Sequence, residues 1–308
     1  MQDDFPKFFL LAVVIFTAFL GSRNFLYGEK NLRGTSAALN RGVFSEAAEP
    51  PVFVLEPPSA SGGDSGVPLV ASPPDAGGSA SVESAPSPAA EPFYKSGGEL
   101  LPAIGAKIAL VADLASGKIF GGRDTDRRWP LASVTKLVTA AIVSRNVPFH
   151  KTVALAEERF AEANSHSVLE EGGVYAVFDL QLAMLVGSSN EAAEALAGFY
   201  GRREFLDQMN GLVLGWGAEN THFGDPSGLS TANQSTAEDL VAVARGIFYE
   251  NPEIFETTRK PLAVISELSS GSKATLKNTN NFAGRSDFLG GKTGYTEEAG
   301  GNLLSIFS

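Results

Sequence analysis

The chain has 308 residues, a formal charge of −11 and no cysteine. That length holds an N-terminal segment, a linker and one domain with a real core. The acidity excludes a nucleic-acid binder, which would need clustered Lys and Arg, and the missing cysteine excludes disulfides, thiolate zinc sites, a Cys nucleophile and a lipid-modified cysteine.

The chain opens with "FFLLAVVIFTAFL", an uncharged run from Phe8 to Leu20 that suits a secretory apolar region better than a full bilayer crossing. Residues 1–27 are therefore expected to be a signal peptide or an uncleaved signal-anchor. Lys7 alone precedes the run while Arg23, Lys30, Arg33 and Arg41 follow it, so the positive-inside count opposes export of what comes next. Residues 28–98 read as a disordered linker. Between Gly42 and Tyr94 there is no Lys or Arg, and ten of the 17 prolines fall there among Ala, Ser, Gly and Glu, a composition unable to bury enough apolar area to offset its ordering entropy.

Periodic patterns begin near Glu99, and residues 99–308 read as one domain. "KIALVADL" (107 to 114) followed by "SGKI" predicts a hairpin. From Ser133 the apolar residues Val134, Leu137, Val138, Ala141 and Ile142 recur at helical spacing. Further helices are expected at 179–186, 191–200, 203–214 and 236–249, and strands at 261–267, 274–279, 288–295 and 301–307. Strands at both ends with helices between them predict an α+β domain in which the two ends close one sheet.

The stretch "WPLASVTKLV" places Ser133 and Lys136 three apart at the expected start of a helix, on one face. A serine hydroxyl is a poor nucleophile until a base takes its proton, and a lysine can serve only if desolvation lowers its pKa, which an apolar helix face supplies. A helix N-terminus at Ser133 would also favour a developing oxyanion. The same pair equally suits an N-cap serine beside a solvated lysine, and a second S-x-x-K, Ser270 to Lys273, lies in the Ser/Gly turn "LSSGSKA" with no helix to orient it. Two later stretches separate the copies. "MLVGSSNEAAEALA" sets Ser188 and Asn190 in a break between two helices, and "GGKTGYTEEAGGNLL" sets Lys292, Thr293 and Gly294 on a late strand.

S-x-x-K, S-x-N and K-T-G in this order form the set found in penicillin-binding proteins and class A β-lactamases. With "GWGAENTHFGDPSGLS" and "STAEDLVAVAR", about two thirds of the chain resembles the D-alanyl-D-alanine carboxypeptidases, the low-molecular-weight penicillin-binding proteins. The resemblance implies an antiparallel sheet flanked by helices, with a helical subdomain between the first and last strands. It casts Ser133 as nucleophile, Lys136 as its base, Ser188 as a proton relay to the leaving amine and Asn190 as a holder of the substrate amide and the lysine. Lys292 and Thr293 would take the terminal carboxylate of a peptidoglycan stem peptide ending in D-Ala-D-Ala, and Gly294 would let the substrate backbone approach. The N–H groups of Ser133 and Tyr295 would form the oxyanion hole. Penicillins would acylate the same serine, outside the cytoplasm. No metal or cofactor is expected, and His150, His166 and His222 show no metal-ligand spacing.

The rival readings keep the fold. A class A β-lactamase would need an E-x-x-L-N string, which is absent between Glu191 and Gly291. A membrane-tethered β-lactam sensor would acylate without peptidase turnover, and a silent wall-binding module would not acylate at all. The resemblance also places a further strand and a helix after "KTGYTEEAG", so the C-terminal part of the fold is expected to be missing. The strand at 301–307 would then carry an unpaired edge, and residues 99–308 alone would fold marginally.

Overall fold

The computed structural model describes residues 105–155 and 168–308, and the backbone of 10–16. The expected linker at 28–98 and His166 lie outside the described residues. Three of the early strands are β1 (Leu10–Phe16), β2 (Ile108–Asp113) and β3 (Ile119–Arg123). A two-residue strand β4 (Trp129–Pro130) leads into a 3₁₀ turn, Ala132–Thr135, and the helix α1 (Lys136–Asn146). Strands β5 (Thr152–Ala154) and β6 (Val174–Ala176) form a small hairpin before helices α2 (Val177–Leu185), α3 (Asn190–Tyr200) and α4 (Arg202–Gly215). After β7 (Gln234–Ser235), which pairs with β4, come α5 (Ala237–Glu250) and α6 (Glu253–Thr258). The hairpin β8 (Leu262–Ser266) and β9 (Lys273–Lys277) precedes β10 (Phe288–Thr296) and β11 (Gly300–Phe307).

The main sheet is antiparallel, in the order β10-β11-β1-β2-β3. The ends of the domain therefore do close one sheet, with the helices inserted between them in sequence, as the order of apolar patterns predicts. The expected helices appear within a residue or two, and α6 is added after Asn251. Helix α5 starts where the sequence places an N-cap: the Thr236 hydroxyl accepts from the Asp239 N–H at 3.0 Å, with Glu238 and Asp239 in the first turn.

Helix α1 sits at the centre of the core. Every residue from Lys136 to Val143 is buried, so this helix has no solvated face in its first two turns. α2 packs against it with Val177, Leu180, Ala183 and Met184 fully buried. A lysine at the start of α1 is consequently enclosed by protein on all sides, which is what a lowered pKa requires.

Leu10–Phe16, inside the segment 1–27 that the sequence reads as a signal peptide or anchor, pairs as the middle strand, its register passing from Leu10↔Phe307 to Phe16↔Gly301 on one side and from Leu10↔Asp113 to Ile15↔Ile108 on the other. A short apolar segment rich in β-branched residues, "LLAVVIF", suits a sheet as readily as an export signal. Among the described residues no helix is long and apolar enough to cross a membrane. The expectation that meets a different arrangement concerns β11, expected to expose an edge. It is paired on both sides, by β10 and by β1. Residues 99–308 taken alone would lack the strand that joins β11 to β2.

Candidate active site

The site gathers at the start of α1, the start of α3, the loop 223–230 and strand β10. Ser133 does not lie on an α-helix, as the sequence predicts, but in the 3₁₀ turn Ala132–Thr135, and α1 proper starts at Lys136. In a 3₁₀ turn residues i and i+3 eclipse, so the change brings serine and lysine more directly together. Lys136 Nζ lies 2.8 Å from Ser133 Oγ.

The turn is held by close approaches that only glycine permits. Gly228, at φ +90°, lies so near the Ala132 carbonyl that a Cβ there would come within 1.9 Å of its oxygen. A Cβ on Gly294 would stand 2.8 Å from the Ser133 nitrogen and 3.0 Å from the Leu131 carbonyl oxygen. Gly294 thus serves first to pack β10 against the turn that carries Ser133. Strain accompanies this packing: Ala132 (φ +47°) and Ser188 (φ +62°) occupy the left-handed region, uncommon for non-glycine residues and characteristic of functional sites. Trp129, in the strand that leads into the turn, donates from its indole N–H to the Ala299 carbonyl at 2.8 Å.

Lys136 is fully buried and meets three acceptors: Ser133 Oγ at 2.8 Å, Asn190 Oδ1 at 2.7 Å and the Ser227 carbonyl at 2.6 Å. Burial pushes its pKa down to about 7, opposed by the negative charges of Asp225, Glu191 and Glu194. The neutral amine has two N–H bonds and one lone pair. Asn190 Oδ1 and the Ser227 carbonyl can only accept, so they take both N–H bonds and leave the lone pair facing the Ser133 hydroxyl. That is the geometry of a base poised to receive the serine proton.

A second lysine enters from β10. Lys292 is 1% exposed, and Nζ donates to Ser188 Oγ at 2.8 Å and to the Thr293 carbonyl at 3.0 Å. Burial, then the nearby charge of Lys136, lowers its pKa well below the usual lysine range. Ser188 is thereby the point where the S-x-N and K-T-G residues touch. The Thr293 hydroxyl shares a 2.7 Å hydrogen bond with Thr279, and Tyr295 is 70% exposed on the strand that forms the sheet edge.

All the residues that sequence reasoning singled out, Ser133, Lys136, Ser188, Asn190, Lys292, Thr293, Gly294 and Tyr295, converge here. The decoy Ser270 does not: it lies in the β8–β9 turn, its hydroxyl donating to Glu267 at 2.7 Å. Sequence reasoning missed Thr279 and the Ser227 carbonyl. The signal available was "FGDPSGLS", whose Gly and Pro mark a tight loop without saying which backbone group it presents.

A family model described as D-alanyl-D-alanine carboxypeptidase matches residues 96–306. The chain belongs to that family. This D-alanyl-D-alanine carboxypeptidase family member is 30% identical to the D-alanyl-D-alanine endopeptidase of Pseudomonas aeruginosa over 221 residues, 70% of this chain and 71% of that one. The crystal structure of the D-alanyl-D-alanine carboxypeptidase from Mycobacterium tuberculosis superposes with a TM-score of 0.61 at 28% identity, covering 70% of this chain and 87% of that one. Penicillin-binding protein D2 from Listeria monocytogenes, in its cefotaxime-bound form, gives a TM-score of 0.56 at 26% identity, with coverages of 68% and 91%. The fold is thus that of penicillin-binding proteins, mixing helices with an antiparallel sheet.

Proposed function

We propose that this protein is a serine-type D-Ala-D-Ala carboxypeptidase that removes the terminal D-Ala of peptidoglycan stem peptides through an acyl-enzyme on Ser133. The observation that carries the reading is the seat of Lys136, whose two acceptors Asn190 Oδ1 and the Ser227 carbonyl leave the amine's lone pair facing the Ser133 hydroxyl. Lys136 Nζ takes the serine proton as Oγ bonds to the carbonyl carbon of the penultimate D-Ala. The amide C–N bond then breaks, the leaving nitrogen taking a proton through Ser188. Water hydrolyses the ester and Ser133 regains its proton. The N–H groups of Ser133 and Tyr295 hold the oxyanion, each such donor typically being worth about 10²- to 10³-fold in rate. Lys292 and Thr293 face the terminal carboxylate, and Asn190 meets the substrate amide as well as Lys136. The free edge of β10 suits an extended peptide, which can add to a sheet edge as a strand.

β-Lactams are the inhibitors this reading names, supported by the cefotaxime-bound relative. Incubation with a stem pentapeptide should release free D-Ala. Acylation by penicillin without D-Ala release would favour the sensor, and no acylation would favour the wall-binding module.

The substrate class places the reaction outside the cytoplasm, within the cell envelope. A reporter fused after Ser96 that works only when exported should be active. Activity of a cytoplasm-only reporter in its place would remove the peptidoglycan reading.

A further inference from the structure

We infer that Asp225 is a positioning residue for Lys136, acting through the peptide bond between Ser227 and Gly228 and through its own negative charge. The inference rests on the reading of Ser133 as nucleophile and Lys136 as base. Asp225 is 6% exposed and spends both oxygens on its own loop. Oδ1 accepts from the N–H groups of Ser227 and Gly228, each at 2.6 Å, and from the Ser227 hydroxyl at 2.8 Å, while Oδ2 accepts from the Ser230 N–H at 2.5 Å.

The bond to Gly228 is the decisive one. In a trans peptide the N–H and C=O of one unit point in opposite directions. The N–H of Gly228 and the carbonyl of Ser227 belong to the same unit. With Asp225 holding the N–H, the carbonyl is aimed the other way, at Lys136 Nζ 2.6 Å distant. Gly228, with its positive φ, is the residue beside which such a unit would otherwise rotate most freely. The carboxylate also polarises the peptide it holds, strengthening the acceptor that Lys136 meets.

Two other residues also fasten the start of the loop. Asn233 Nδ2 donates to the Asp225 carbonyl at 2.9 Å and to the Thr135 hydroxyl at 3.1 Å, and Thr139 donates to the Pro226 carbonyl at 2.6 Å. Removing the Asp225 carboxylate releases the N–H groups of Ser227, Gly228 and Ser230, of which Gly228 alone shares its peptide unit with the carbonyl that Lys136 meets, while these two anchors remain. Three carboxylates act on Lys136, Asp225 from this loop and Glu191 and Glu194 from α3, and the charge of Lys136 in turn acts on Lys292 of β10. Among the carboxylates Asp225 has the largest effect.

The test compares Asp225→Ala and Asp225→Asn in the full chain, following penicillin acylation against pH, kcat and KM for D-Ala release, and thermal melting. Asp225→Ala should lower the acylation rate constant and kcat by about 10²-fold while KM stays within about threefold. Asp225→Asn keeps an oxygen for the Gly228 N–H and should recover to within about fivefold of the wild type. Its acid limb should move to lower pH, because a negative charge that favours protonated Lys136 is gone. A folded Asp225→Ala protein acylating at the wild-type rate, or an Asp225→Asn protein as slow as Asp225→Ala, would overturn the inference. If Asp225→Ala shows no cooperative melt, the Asp225→Asn limb decides, and an unshifted limb overturns the inference. A wild type that is never acylated would instead sink the functional reading.

Discussion

Ser133→Ala should abolish covalent labelling by a fluorescent penicillin, while Ser270→Ala leaves labelling intact. Both serines begin an S-x-x-K string, and only their surroundings differ. Ser133 sits 2.8 Å from a buried amine whose other two partners are acceptors. Ser270 donates a hydrogen bond to the Glu267 carboxylate in the β8–β9 turn, and hydrogen bonds from Ser270, Val174 and Ser269 hold that carboxyl's pKa down to about 2, which makes it a poor base. The alanine side chain fits the turn, because Ser133 is partly exposed and its hydroxyl fills no core volume. The variant should melt like the wild type, so lost labelling reports chemistry and not unfolding. Mass spectrometry of the labelled wild-type peptide should place the adduct on Ser133. An adduct on Ser270 would refute the assignment.

Lys136→Arg should be nearly as damaging as Lys136→Ala, although it preserves the charge. A guanidinium stays protonated at accessible pH, so it has no lone pair for the serine proton, and a loss of about 10²- to 10⁴-fold is expected for removal of a general base. The pH dependence follows from the same group. Burial lowers the Lys136 pKa to about 7, and the base form is the neutral amine. Acylation should therefore rise with pH through about 7 and fall below it, as Nζ gains a proton. Wild-type acylation independent of pH between 5 and 9, or near-normal rates in Lys136→Arg, would show that the lysine contributes only positive potential.

The helices and the late strands were legible because their apolar residues recur at the period of the element they form, as with Val134, Leu137 and Val138 on α1. The catalytic side chains were legible because each motif pairs fixed residue types with a local structure. Three features were not. The turn at Ser133 is 3₁₀ and packs closely against Gly228 and Gly294 from distant parts of the chain, contacts that no local spacing records. The third partner of Lys136 is a backbone carbonyl, which any residue could supply, so "FGDPSGLS" gives no side-chain signature for it. The strand at Leu10–Phe16 was hidden because an uncharged apolar run carries no period that separates a middle strand from an export signal.

The pairing of β1 with β11 bears on the order in which the sheet can form. Leu10 is registered with Phe307, so segments far apart in the sequence meet in adjacent strands at the middle of the sheet. Loop-closure entropy must be met before such contacts return any stabilisation, which makes them slow to form. During synthesis β2 and β3 can pair early, but the sheet cannot close until β11 has emerged. Whatever holds residues 10–16 elsewhere in that interval leaves β2 and β11 with facing open edges, a state prone to pairing with other chains. Among the described strands β10 pairs with β11 alone, so the Lys292-Thr293-Gly294 strand joins the rest of the sheet through β11. Activity should therefore appear late and all at once in refolding, after the helices around α1 have formed.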